Sequence, residues 1–382
     1  MASGQRQRAE GADGIKTRFL IMSDTHEGFQ HRLGRTAPWA GADGSFRPPL
    51  PRADVLIHSG DLTMVGTMEQ YRGALRLLAG VDAELKLVVA GNHDLSLHGA
   101  YYVHDATARR IAGRHYDAAD ARRARELWTG DEARRAGVTY LDEGAHVFTL
   151  ASGARLAVYA SPWQPFFHNW AFNYPLTEDR WNPPERIVTS ELTPEVAPAP
   201  PHRDPHPIPD GADLDVVITH GPPYGHLDAT SRGARAGCPH LLNALNRVRP
   251  RMHCFGHIHE AWGAELVTWS PADTGARVGG SATAPVGRFG ETTEVLGSLV
   301  PGPNRQTPSD KDAIERRANY LDVSSDSKRP LRAGSETLLV NSCIMDLGYD
   351  TNGSAWLVDM DLPRAEAASG TGHIHGARDA MI

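Results

Sequence analysis

Five separated clusters carry the residues of this 382-residue chain whose types could do chemistry: Asp24 with His26; Asp61 after Gly60; Asn92, His93 and Asp94 after Gly91; His220; and His257 with His259. Carboxylates, imidazoles and one amide make a mixed donor set, which suits borderline divalent ions such as Mn, Fe or Zn better than calcium, whose shells are all oxygen. Asp24 and His26, like His257 and His259, are spaced i and i+2, so in extended chain each pair projects to one side and offers two ligands to one centre. The donors outnumber what a single tetrahedral zinc needs. Two ions about 3.5–4 Å apart, bridged by one carboxylate, form the arrangement that phosphoester hydrolysis uses.

Each cluster directly follows a short apolar run: Phe19 to Met22, Val55 to Ile57, Leu87 to Ala90, Val216 to Ile218 and Met252 to Phe255, with Leu156 to Tyr159 a further run of the same kind. Continuous apolar runs predict strands buried on both faces, and ligands in open α/β sheets collect beyond the carboxyl ends of strands, so the clusters are expected to converge. Glycines 60, 91, 221 and 256 beside the clusters predict tight, unhindered turns. Helices are expected over Met68 to Ala79 and Ala118 to Ala136, and their alternation with strands predicts a layered α/β fold. The runs Met252 to Phe255, Glu265 to Trp269, Thr337 to Val340 and Ala355 to Met360 are less clearly separated by helices, and are expected to form a second, more antiparallel sheet.

Composition narrows the classes. Lys+Arg 39 against Asp+Glu 46 gives a net charge of −7, which supplies no global attraction for a nucleic-acid coat or an anionic membrane. No apolar stretch approaches the ~20 residues of a membrane-spanning helix, and Met1 to Lys16 is too polar for a signal peptide, so a cytoplasmic protein is expected. Cys238, Cys254 and Cys343 are odd in number and lack CxxC spacing, which predicts buried free thiols. There is no Walker loop and no GxSxG elbow.

Residues 17–363 are expected to form one domain between a disordered stretch, 1–16, and a flexible tail, 364–382. Two segments within it are expected as insertions: proline-rich 182–210, and a long loop over 271–334 with one short helix near Asp310 to Tyr320. Gly372-His373-Ile374-His375 repeats the histidine spacing in the tail and is read as a decoy, while His58, His226, His240 and His253 are read as ordinary hydrogen-bonded or surface side chains. The aromatic stretch Trp163, Phe166, Phe167, Trp170, Phe172, Tyr174 reads either as core or as a lining that stacks an aromatic substrate. Trp163, Phe166 and Trp170 are its candidate substrate contacts.

Taken in order, Asp24-x-His26, Gly60-Asp61, Gly91-Asn92-His93-Asp94, His220 and Gly256-His257-x-His259 resemble the calcineurin-like metallophosphoesterase superfamily. The resemblance is nearest to the metallophosphoesterase-domain-containing proteins, through Thr219-His220-Gly221-Pro222-Pro223, Ser161-Pro162-Trp163-Gln164-Pro165, Gly237-Cys238 with Leu241-Leu242-Asn243, and Phe255-Gly256-His257-Ile258-His259-Glu260. It implies an α/β fold of four layers, α/β/β/α, with two mixed sheets flanked by helices and the metal site at the carboxyl ends of strands. It further implies that Asp24, His26 and His259 bind one metal, that Asp61 bridges, and that Asn92, His220 and His257 complete the second. His93 would be the catalytic proton donor, its ring oriented by Asp94. The implied activity is hydrolysis of a small phosphodiester, a cyclic nucleotide or similar, or of a phosphomonoester, by a metal-activated hydroxide. Two divalent ions are implied as cofactors, Mn, Fe, Zn or Mg, with Mn foremost in vitro. A small phosphorylated substrate is the expected partner, with no membrane and no nucleic-acid coat role; the oligomeric state stays open. Two other readings stay open: a metal-assisted, non-hydrolytic enzyme acting on a metabolite, and a low-turnover metal-containing binding or scaffold protein.

Overall fold

The apolar run at Phe19 belongs to a longer strand, β1 (Ile15–Met22), whose alternate side chains enter different cores. Phe19 and Ile21 pack in one cluster with Val55, Ile57, Val216, Ile218, Met252 and Cys254, whereas Leu20 and Met22 pack in another with Tyr71, Leu78 and Trp128. A run apolar at every position is therefore a strand buried on both faces, as its composition predicts. The computed structural model describes residues 14–27, 46–187, 206–210, 213–270, 291–298 and 311–366.

Along the described chain β1 is followed by β2 (Ala53–His58), α1 (Met68–Ala79), β3 (Ala83–Val88), α2 (Gly99–His104), α3 (Ala106–Ala112), α4 (Asp120–Thr129) and α5 (Asp131–Arg135). Then come β4 (Val138–Tyr140), β5 (Gly144–Thr149), β6 (Arg155–Ser161), the short β7 (Gln164–Pro165) and β8 (Asn173–Tyr174), β9 (Val216–Thr219), α6 (Pro239–Val248) and β10 (Met252–Phe255). The last part holds β11 (Gly263–Thr268), β12 (Thr292–Ser298), α7 (Lys311–Arg316), β13 (Asn319–Asp322), β14 (Glu336–Asn341) and β15 (Trp356–Leu362). One sheet has the order β13-β15-β1-β2-β3-β4 and the other β12-β11-β14-β10-β9-β6-β5.

The two sheets pack face to face over the cluster that contains Phe19 and Val216. The outer face of the first is covered by α1 and α4, through Tyr71, Leu75, Leu78, Leu127 and Trp128, and that of the second by α6, through Leu241, Leu242 and Leu245. This is the α/β/β/α layering that the family resemblance implies. Helix α1 starts on a capping box, with Thr67 accepting from Gln70 N–H and the Gln70 side chain returning to Thr67 N–H. Strands β1, β2 and β3 run parallel, as do β6, β9, β10 and β14, so the carboxyl ends of each set lie along one sheet edge. The edges meet where Ser23 N–H donates to Ser342 O (2.9 Å) and Ile344 N–H donates to Ser23 O (2.9 Å), tying the end of β1 to the end of β14 across the sandwich.

Several sequence expectations are redrawn. The run Ala355 to Met360 does not join the second sheet: as β15 it pairs antiparallel with β1 in the first, with Trp356, Val358 and Met360 facing the inter-sheet core. Conversely, Leu156 to Tyr159 and Val216 to Ile218 lie in the second sheet, which is mixed rather than mainly antiparallel. The helix expected over Ala118 to Ala136 breaks into α4 and α5 at Gly130, where the backbone is extended and a Cβ would meet Glu126 O at 2.2 Å. β12 and β13, expected within a long loop, are edge strands of the two sheets. Strand β1 starts at Ile15, pairing Ile15 and Lys16 with Leu362 and Asp361, and Ala365 N–H donates to Gly153 O, so the ordered chain extends past both expected domain limits. Most of the proline-rich segment, the histidine pair at 373 and 375, and residues 1–13 lie outside the described residues. Among those described, no helix is long and apolar enough to cross a membrane, and all three cysteines are buried free thiols.

Candidate metal centre

Past the ends of the strands the backbone ladder continues into the clusters. Asp24 N–H donates to Gly60 O (2.9 Å), His26 N–H to Asp61 O (3.1 Å) and Gly256 N–H to His220 O (2.9 Å), which draws the chain ends together before any side chain is placed. Side chains then lock backbone in turn: Asp61 Oδ1 accepts from His93 N–H (2.8 Å), and both Asp24 oxygens accept from His257 N–H (3.2 and 3.1 Å). Asp24, His26, Asp61 and His257 all hold positive φ, from 43° to 69°, a region that costs a non-glycine residue about 1 kcal/mol or more and that gathers at functional sites. The packing is too close for a side chain at position 256, where a Cβ would sit 2.0 Å from Asp24 Oδ2.

The histidines are oriented by backbone carbonyls. Nδ1–H of His26 donates to Thr63 O (3.0 Å), that of His220 to Ser59 O (2.9 Å) and that of His259 to Asp346 O (3.0 Å); a carbonyl can only accept, so each ring has its Nδ1 proton fixed and its Nε2 lone pair free for a ligand. Those Nε2 atoms converge: His26 and His259 are 3.4 Å apart, His259 is 3.2 Å from Asp24 Oδ1, and His26 is 3.8 Å from Asp61 Oδ2. Asp24, His26, Asp61 and His259 thus form one compact buried group able to hold a metal ion. On the other side of Asp61, Oδ1 lies 3.4 Å from His220 Nε2, which is 2.8 Å from Asn92 Oδ1, and the His257 ring packs on His220 at 5.0 Å between centroids.

Electrostatics fit a cation at this place. Burial pushes the Asp24 carboxyl upward, but the hydrogen bond and charge of His259, with His220, hold it well below the usual carboxylate range. Burial likewise opposes ionisation of Asp61, and His220 and His93 overcome it. In return Asp61 lifts His220 to about 9 against its burial, and Asp24 raises His259, while burial takes His26 and His257 down to about 3. Two buried carboxylates thus draw positive charge to themselves. A divalent ion meets the same demand and releases the protons in doing so.

Ligand sites at the carboxyl ends of strands serve many chemistries in α/β folds. A profile described as calcineurin-like phosphoesterase matches residues 17–261, the span that contains every donor named above. The chain belongs to the calcineurin-like phosphoesterase family. Members similar to it include Metallophosphoesterase domain-containing protein 1 of Homo sapiens and that of Mus musculus, each 32% identical over 252 residues, which is 65% of this chain and 62% of theirs. A probable rhamnogalacturonate lyase C of Emericella nidulans is 32% identical over 225 residues, 58% of this chain but 17% of that protein. The chain spans about 62% of the length of the first two relatives.

Within this calcineurin-like scaffold, the surroundings of His93 differ from the sequence expectation. Its Nδ1–H donates to Met64 O (2.8 Å), and its ring lies stacked on Trp170 with centroids 4.0 Å apart. Asp94 does not orient that ring: Oδ1 accepts from Thr63 N–H (3.0 Å) and its hydroxyl (2.7 Å), and Oδ2 from Leu62 N–H (3.1 Å) and Gly91 N–H (2.9 Å). The aspartate therefore clips the turn after Asp61 to the turn before Asn92. Burial, helped by the charge of Asp61, pushes its carboxyl up to about 7.

Of the aromatic candidates, Trp170 stands at the centre. Trp163 packs instead against Phe172 and beneath the buried Arg180 guanidinium, 4.2 Å from its ring, and Phe166 is exposed. Two rings went unassigned in the sequence: Phe167, edge-on to His257 at 5.1 Å, and Tyr349, edge-on to His26 at 5.0 Å. Phe167 lay within the aromatic stretch, whereas Tyr349 is a single aromatic in a polar loop and carried no signal. The four histidines set aside are buried with polar partners: His58 with Thr25, His226 with Glu265, His240 with Asp179 and His253 with Thr219.

Proposed function

We propose that this protein is a di-metal-dependent phosphoesterase that hydrolyses a small phosphodiester, a cyclic nucleotide or one similar to it, or a phosphomonoester. The observation that supports the reading is that Asp61 lies between two groups of candidate ligands, with Oδ2 3.8 Å from His26 Nε2 and Oδ1 3.4 Å from His220 Nε2. Asp24, His26 and His259 would hold one ion, Asn92, His220 and His257 the other, and Asp61 both; Mn is the first choice in vitro. Bound ions supply Lewis-acid charge that polarises a phosphoryl oxygen and lowers the pKa of water.

The protein's own part is positioning and proton transfer. Because His93 Nδ1–H is engaged by Met64 O, a proton passes to the leaving oxygen through Nε2, and Trp170 on its face holds the ring in plane. Burial keeps this imidazole below its ordinary value despite the charge of Asp61, so in the free site the ring is neutral and its Nε2 lone pair is open to a proton. Membership of the phosphoesterase family supports the same chemistry.

The test is hydrolysis of an aryl phosphodiester by metal-stripped protein resupplied separately with Mn, Mg, Fe or Zn, alongside His93→Ala. We expect metal-dependent turnover that falls about 100-fold or more in the variant at unchanged metal content. Full metal occupancy with no turnover of diesters or monoesters would sink the hydrolytic reading.

A further inference from the structure

Two loops rim the centre, and both carry aromatic rings against its histidines. The first, between β7 and β8, is wound tightly, with positive φ at His168, Asn169 and Phe172, and is pinned by Ala171 N–H to Asn92 O (3.3 Å) and by Tyr101 O–H to Asn169 O (2.7 Å). It presents Trp170 to His93 and Phe167 to His257. The second loop, after β14, is built on Asp346: Oδ1 accepts from Gly348 N–H (2.7 Å) and Asp350 N–H (3.1 Å), Oδ2 from Asn352 Nδ2 (2.6 Å), and its carbonyl from His259 Nδ1 (3.0 Å). That turn holds Tyr349 at φ 57°, edge-on to His26 (5.0 Å), His259 (5.9 Å) and His93 (6.4 Å). Trp170 and Tyr349 thus both flank the His93 ring, one face-on and one edge-on, and both remain partly exposed.

A cluster of charged ligands has no need of such a rim for its own sake. Phe166 (62% exposed), Phe167 (42%) and Leu347 (56%), large apolar side chains left open to water, lie on these same two loops. Apolar surface kept exposed around a polar centre marks a place where a partly apolar ligand is taken up, and ring faces and edges select planar groups. We propose that Tyr349, together with Trp170, forms a slot that binds a planar aromatic substituent of the phosphoester, making Tyr349 a specificity-determining residue. The proposal rests on the phosphoesterase reading for the identity of the anchoring group.

The experiment compares binding of phenylphosphonate and methylphosphonate to Mn-loaded protein by calorimetry. Neither compound is hydrolysed, so the slot is read even if the protein turns over no ester, and the failure of one reading is distinguishable from that of the other. Wild-type protein is expected to prefer the phenyl compound about ten-fold, the scale of one good aromatic contact. Tyr349→Ala and Trp170→Ala should each reduce that preference to about two-fold or less, whereas Tyr349→Phe, which keeps the ring, should retain it. Elemental analysis of Mn checks that each variant keeps the centre. Should Tyr349→Ala lose metal, Tyr349→Phe and Trp170→Ala still decide. A wild-type preference near one, a preference that survives in metal-replete Tyr349→Ala or in Trp170→Ala, or its loss in Tyr349→Phe overturns the slot, whereas no binding of either compound overturns the phosphoester anchor on which the slot rests, and the proposal with it.

Discussion

Single side chains at this centre do two jobs at once, and Asp61 shows it most sharply. Its oxygens face His26 and His220, while Oδ1 also accepts the His93 amide that carries the next cluster into place. Asp61→Asn keeps the shape but gives up the charge that, on the proposed reading, both donor sets would share. Metal affinity at both positions is expected to fall by at least about ten-fold, since even changes behind the ligands cost that much. Elemental analysis after dialysis against limiting Mn checks it, and wild-type content would count against a shared carboxylate. Asp94 is the contrasting case. The family resemblance implies that it orients the His93 ring, yet four donors on two turns claim its carboxylate.

At the scale of elements, the centre depends on strand ends that approach more closely than side chains allow. Gly256 follows β10 and sits against the end of β1, where a Cβ would lie 2.0 Å from Asp24 Oδ2 and 2.2 Å from Ser23 Oγ. Gly256→Ala must push Asp24 out of line with His259. The expected result is loss of metal at the position of Asp24, His26 and His259, with a destabilisation of about 1–3 kcal/mol from overpacking. Metal content and a denaturant melt measure the two effects; wild-type values for both would contradict the close approach. The turns that flank the strands matter for the same reason. Ser59, Thr63, Met64 and Asp346 each turn a backbone carbonyl to one histidine, and those carbonyls set which nitrogen of each histidine is free.

Across the whole molecule, the second sheet is braced by His226 of the loop after β9, which is buried between Glu265 of β11 (3.2 Å) and Glu291 just before β12 (3.7 Å). Burial alone would lower this imidazole, but hydrogen bonds and charge from Glu265 and Glu291 lift it to about 9. Its folded value thus lies above its ordinary one, so its contribution is complete below about pH 6.5 and is lost as pH rises through about 9, worth about 3 kcal/mol at most. The melting temperature of wild-type protein should therefore drop between pH 6.5 and 9.5 by more than that of His226→Gln. Equal slopes for the two proteins would remove His226 from this role.

Much of the protein is legible in its sequence alone. The candidate donors Asp24, His26, Asp61, Asn92, His220, His257 and His259 stand out because ligand chemistry resides in residue type and short spacing, and the fold brings Asp24, His26, Asp61 and His259 into one group. The runs that end at Met22, Ile57, Ile218 and Phe255 read as strands because burial on both faces excludes polar residues from every position. Tertiary structure alone decided the rest. That β15 lies beside β1, that β12 and β13 edge the sheets, and that Tyr349 reaches His26 are pairings between segments distant in sequence, which leave no local pattern behind. The bonds that orient His26, His93, His220 and His259 end on backbone carbonyls, and every residue carries the same carbonyl, so only the fold could say which one each ring would meet.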